Sequence, residues 1–98
     1  MTLTGEQRRK LKSMAHNLNP MVQIGKKGLT EDQIETISKA LFDHELIKVK
    51  FNDFKSVKDE LSQRIADLTG SDIVDVIGNT LILYKMNPDP SKREISLA

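Results

Sequence analysis

A chain of 98 residues with 30% charged and 38% apolar residues has room for one domain with a modest core and a densely charged surface. The absence of cysteine excludes disulfides, thiolate metal sites and cysteine nucleophiles, and accords with a cytoplasmic protein. No run reaches the roughly 18 apolar residues of a membrane span, and no apolar stretch of signal-peptide length follows the basic beginning, so neither a membrane segment nor a targeting sequence is expected.

The net charge of +1 hides an asymmetry: residues 1–28 carry +5 and the remainder −4. That distribution keeps a polyanionic partner open, although a solvated lysine-rich surface would explain it as well.

In chain order, Thr4 and Gln7 form a capping box at the start of a first helix, and Leu11, Met14, Ala15 and Leu18 have the spacing of its buried stripe. At about 100° per residue, Arg8, Arg9, Lys12 and His16 fall along one flank of that stripe, a basic rail able to follow a phosphate backbone. Asn19-Pro20 ends the helix. Met21 to Ile24 reads as a strand, and Gly25-Lys26-Lys27-Gly28 as a tight loop that a ligand can approach closely. A second helix follows, capped by Thr30 with Gln33 as capping-box partner and Leu29 and Ile34 as a hydrophobic staple. Backbone N–H groups and the helix end favour an anion there, an attraction that Glu31 and Asp32 partly offset. Ile34, Ile37, Leu41 and Phe42 are expected to face inward.

Leu46 to Phe51 alternates, with Ile47, Val49 and Phe51 on one face and Lys48 and Lys50 on the other. Ser56, with Asp59, is expected to open a third helix whose stripe is Val57, Leu61, Ile65 and Leu68 and whose C-terminal cap is Gly70. Ile73–Ile77 and Thr80–Met86 read as a hairpin about Gly78-Asn79, glycine first as in a type II′ turn. Pairing across that turn places Val74, Val76, Leu81 and Leu83 on one face and Ile73, Asp75, Ile82 and Tyr84 on the other. The second face is too apolar to stand bare, so either the tail or a protein partner should cover it. Residues 1–86 are expected to form the single domain and 87–98 a flexible tail, in which Ile95 and Leu97 could dock.

The order α-β-α-β-α-β-β predicts an α/β (α+β two-layer) fold, a four-stranded mixed sheet with the second and third helices on one face. No enzyme is expected. His16 and His44 lie on separate helices without metal-ligand spacing, no carboxylates are paired for acid–base work, and the loop is too short for a nucleotide-hydrolysing phosphate loop. No metal, cofactor or small-molecule substrate is therefore expected.

Three blocks in this order resemble the bacterial YhbY-like proteins, stand-alone forms of the CRM (chloroplast RNA splicing and ribosome maturation) domain. They are Ala15-His16-Asn17-Leu18-Asn19-Pro20, Val22-Gln23-Ile24 with Gly25-Lys26-Lys27-Gly28, and His44-Glu45-Leu46-Ile47-Lys48-Val49-Lys50. The resemblance covers about residues 2–86. It implies an RNA-binding domain similar in topology to the C-terminal domain of translation initiation factor three, associated in bacteria with precursors of the large ribosomal subunit. It assigns RNA contact to Gly25, Lys26, Lys27 and Gly28 and to Arg8, Arg9, Lys12 and His16. Few aromatic residues are available to stack bases, so structured RNA read by backbone and shape is the expected partner, bound by a monomer. The alternative is a protein-interaction module that docks through the apolar face of Ile73, Ile82 and Tyr84.

Overall fold

The computed structural model describes residues 3–97. The elements run α1 (Gly5–Ala15), β1 (Val22–Ile24), α2 (Glu31–His44), β2 (Leu46–Phe51), α3 (Lys58–Thr69), β3 (Asp72–Ile77) and β4 (Thr80–Tyr84). The strands form one mixed sheet in the order β1-β2-β4-β3. β1 pairs parallel with β2, as a strand–helix–strand crossover requires, and β4 pairs antiparallel with both neighbours. The second arm of the hairpin thus lies between β2 and β3, which explains why β4 is apolar on both faces.

Ile47, Val49, Phe51, Leu81 and Leu83 point to one side, where Ile37, Leu41, Ile65 and Ala66 of α2 and α3 complete the main core. Leu46, Ile82 and Tyr84 point to the other, against Leu11 and Ala15 of α1. The expected two-layer packing of sheet and α2–α3 therefore gains a third layer. Ile82 is 2% exposed and Tyr84 fully buried, with Ile95 and Leu97 of the tail packed beside them. The face proposed for protein docking is covered by the chain itself, so that alternative loses its surface.

Ile73 and Val74 exchange the faces expected of them. The β3–β4 register shifts between Ile73, opposite Leu83, and Asp75, opposite Ile82. Such a bulge sets two residues against one on the partner strand and reverses the alternation on one side of it. Val74 consequently packs under α1, and Ile73 joins the main core.

The other departures concern helix surfaces. Ser56 does not cap α3; it lies in a short 3₁₀ turn, and the N-cap position is Val57, without a side-chain cap. Met14, Phe42, Val57 and Leu68 are exposed rather than core. Phe42 instead lies under Lys92, whose ammonium sits 5.0 Å from the ring centre. Gly70 at φ +67 ends α3 as expected, and in the hairpin turn Gly78 has the positive φ (+58) that type II′ requires first.

Residues 87–97 are tied to the fold through Glu45. This buried residue takes a left-handed φ of 63°, costly for a residue with a Cβ. Its carboxylate accepts hydrogen bonds from the backbone N–H groups of Asn87 (2.8 Å), Glu94 (2.6 Å) and Ile95 (3.2 Å).

Candidate nucleic-acid interface

The glycine loop hangs from the end of β1. The Ile24 carbonyl accepts from the N–H groups of Asn52 (2.9 Å) and Asp53 (3.2 Å), which roots the loop on the turn after β2. Gly28 N–H donates to the Gly25 carbonyl at 3.0 Å, closing a turn with Lys26 and Lys27 exposed at its tip. The two glycines serve different ends. Gly28 has φ +69, and a Cβ there would lie 3.2 Å from the Phe54 ring, whereas a Cβ on Gly25 would meet nothing within 4 Å. Gly28 lets the turn close on Phe54; Gly25 leaves open space beside the lysines. Behind the loop, Thr30 Oγ1 accepts from Gln33 N–H at 3.2 Å. The Gln33 side chain does not return to the cap: its amide donates to the Gln23 carbonyl at 3.1 Å, fastening α2 to β1.

On α1, Arg8, Lys12 and His16 recur every fourth residue and overhang the sheet on its second face. The Arg8 guanidinium donates to the Ile73 carbonyl at 3.0 Å. Lys12 Nζ lies 3.0 Å from Asp75 Oδ2. Arg9 stands outside this row, its guanidinium lying back along the helix toward Gly5. Asp75 is an anion within the row. The hydrogen bond from Lys12 holds its carboxyl below the usual carboxylate range, opposed by partial burial and aided by the Val76 N–H and the charges of Lys12 and Arg8.

Two further cations lie between the row and the loop. Lys50 sits opposite Gln23 in the β1–β2 register, one residue short of the Ile24–Phe51 pair at the root of the loop. Lys48 Nζ donates to the carbonyls of Leu18 (3.0 Å) and His16 (3.5 Å) and so pins the chain leaving α1 to β2. Neither lysine is among the site residues expected from sequence. The alternation of β2 shows that both point away from the main core, but only the placement of α1 shows what they point toward. Between the row and the sheet lies a cavity of about 380 Å³, lined by Lys12, His16, Lys48, Ile77, Thr80 and Ile82 among others.

The site combines a basic glycine loop with the overhanging row of an amphipathic helix, both carried by a helix-covered mixed sheet. That arrangement defines a small α+β binding domain whose charges suit an anionic guest. The chain belongs to the CRS1/YhbY (CRM) domain family, whose model matches residues 3–85.

Its relatives extend over nearly its whole length. A Pseudomonas aeruginosa protein, named as the probable RNA-binding protein PA4753, is 39% identical over 94% of this chain and 89% of its own. YqeI of Bacillus subtilis, also named a probable RNA-binding protein, is 37% identical over 95% of this chain and 98% of its own. The solution structure of SAV1595 from Staphylococcus aureus superposes with a TM-score of 0.78 at 39% identity, covering 97% of this chain and all of that one. The description of SAV1595 also proposes RNA binding.

Proposed function

We propose that the protein is an RNA-binding factor, not an enzyme, that grips structured RNA by its backbone. The loop Gly25–Gly28 admits a phosphate between its two lysines, and Lys50 and Lys48 carry the path along β2 to Lys12, His16 and Arg8. Arg9 lies off this path and adds only longer-range attraction. The observation that carries the reading is that Lys26 and Lys27 are exposed at the end of β1, with Lys50 beside the loop root and Lys48, Lys12 and Arg8 following on the α1 face of the sheet, none of them buried in the core. The RNA-binding names of relatives that match nearly end to end support it.

Backbone contacts of this kind position RNA without reading its sequence. The family resemblance points to cytoplasmic RNA of the large ribosomal subunit during assembly, and we take that RNA as the target of a monomeric protein.

The test is fluorescence anisotropy with a labelled large-subunit RNA fragment across a salt series. Lys26→Ala/Lys27→Ala should lower the log–log salt slope by roughly 1.4–1.8, two phosphate contacts' worth, with thermal stability unchanged. Unchanged affinity and slope would remove the loop from the interface.

A further inference from the structure

We infer that the cavity between α1 and the sheet holds one unpaired nucleotide of the bound RNA. The inference rests on the RNA-binding reading and adds to it a subsite with a different chemistry from backbone capture. At about 380 Å³, the cavity is near the lower end of the range for small-ligand pockets, roughly 300–1,000 Å³. Its lining is mixed in a specific way. Ile77, with the edge of Ile82, makes its apolar part, Pro20 and His16 line it as well, and Lys12 and Lys48 add positive charge at its border.

A nucleobase has the complementary character: apolar faces, polar edges and a phosphate on either side. The imidazole is an aromatic plane of the kind on which splayed-out bases stack. The Thr80 hydroxyl and the His16 ring make no hydrogen bond among the described residues, so both can meet a base edge or ribose. A free inorganic anion would leave the isoleucines unused, and an apolar protein side chain would leave the threonine hydroxyl and the imidazole without partners. A base still paired and stacked in a helix cannot enter, because its faces are covered by its neighbours.

Contacts within the chain order part of the cavity's border before any ligand arrives. Lys48 holds the carbonyls of His16 and Leu18, which pins the chain leaving α1, while Asp75 holds the Lys12 ammonium over the sheet. The cavity also lies on the path already described. Lys48 and Lys50 are two residues apart on β2, about 7 Å, and Lys50 adjoins the root of the glycine loop. A nucleotide in the pocket is therefore a neighbour of those whose phosphates the loop holds.

The experiment compares two hairpin RNAs, one fully paired and one with a single bulged 2-aminopurine, bound to the full chain and to the variants Ile77→Trp and Thr80→Val. Ile77→Trp fills the cavity without changing charge. Thr80→Val removes one hydroxyl at nearly constant shape, and so remains informative if the larger substitution disturbs folding. The wild-type chain should prefer the bulged RNA by roughly five- to tenfold, the low end for capture of one base, with a change in 2-aminopurine emission on binding. Ile77→Trp should remove the preference and Thr80→Val reduce it, while both keep the wild-type affinity and salt slope for the paired hairpin.

Equal binding of both hairpins by the wild-type chain would overturn the pocket and leave backbone capture standing. A preference that both variants retain would overturn it as well. Failure to bind either RNA would remove the RNA-binding reading and the pocket together.

Discussion

The different roles assigned to the two loop glycines make a quantitative prediction. An alanine at position 28 must adopt φ +69 and place its Cβ 3.2 Å from the Phe54 ring. The left-handed conformation costs a residue with a Cβ about 1–2 kcal/mol. The contact adds less, because Phe54 is 38% exposed and its ring can give way. For a domain of this size, 1 kcal/mol moves Tm by about 4–8 °C, so Gly28→Ala should lower Tm by about 5–15 °C in a calorimetric or circular-dichroism melt. In a Phe54→Ala background the steric part disappears and the conformational part remains, so the two substitutions should couple measurably.

Gly25→Ala should behave in the opposite way. With nothing within 4 Å of its Cβ, it should leave Tm unchanged or slightly raised. It should nonetheless weaken RNA binding by about 1.5 kcal/mol, roughly tenfold, if the methyl group displaces one phosphate hydrogen bond. A Gly28→Ala variant as stable as the wild type, or a Gly25→Ala variant with undiminished affinity, would refute the assignment.

Three further substitutions probe other parts of the structure. Asp75→Asn should tighten binding of fully paired RNA, which does not enter the cavity, about threefold at low salt, the Coulomb effect of removing one anion ~7 Å from a phosphate in water. Because Lys12 lowers the Asp75 pKa in the folded state, their pairing stabilises the fold above the ordinary carboxylate range and is lost as pH falls through the lowered value. Asp75→Asn should therefore flatten the acid limb of a stability–pH curve; an unaltered limb would count against the pairing.

Glu45→Gln removes one of the two acceptor oxygens and the charge that hold three tail N–H groups. Hydrogen exchange at Asn87, Glu94 and Ile95 should accelerate by at least tenfold, about 1.4 kcal/mol or more, and equal protection would show that other contacts hold the tail. The Tyr84 hydroxyl is buried without a hydrogen-bond partner among the described residues, and burial raises its pKa, with Glu45 adding to the effect. Tyr84→Phe should leave neutral-pH stability unchanged or raise it by up to about 1 kcal/mol. It should also remove the part of the stability loss that follows as pH rises past about 10, where the unfolded tyrosine ionises and the folded one resists. A substantial loss of stability at neutral pH would reveal a partner for the hydroxyl.

Features governed by local spacing were the most legible in the sequence. The Thr4–Gln7 capping box, the alternation of β2, the Gly78-Asn79 turn and the Gly70 cap each depend on a few consecutive residues, and each is found in the structure. Features that depend on pairing or on remote chain were not legible. The Val74 bulge has no residue signature of its own and arises only in the register with β4. Ser56 has a capping residue's chemistry, but the left-handed turn at Phe54 sends the chain through a 3₁₀ turn before α3 begins.

Met14, Phe42 and Leu68 lie at the borders of their helical stripes, where periodicity gives an angle but not how far the opposing layer reaches. The candidate site divides in the same way. The loop and the α1 row are contiguous in sequence and could be read from it, whereas the cavity draws on α1, the following loop, β2, β3 and β4. Glu45 holds amides from 42 to 50 residues further along the chain, a distance no local pattern encodes.

The bulge also bears on how the molecule meets copies of itself. β3 is an outer strand, and a regular outer strand offers a row of free amide and carbonyl groups on which another chain can assemble. Here the row is interrupted at Val74, bordered by the carboxylates of Asp72 and Asp75, and occupied at Ile73 by the Arg8 guanidinium. The opposite border, β1, is only three residues long. A sheet with one broken margin and one short one gives a second copy little to build upon, so the irregularity that moves two side chains between faces also works against edge-to-edge polymerisation.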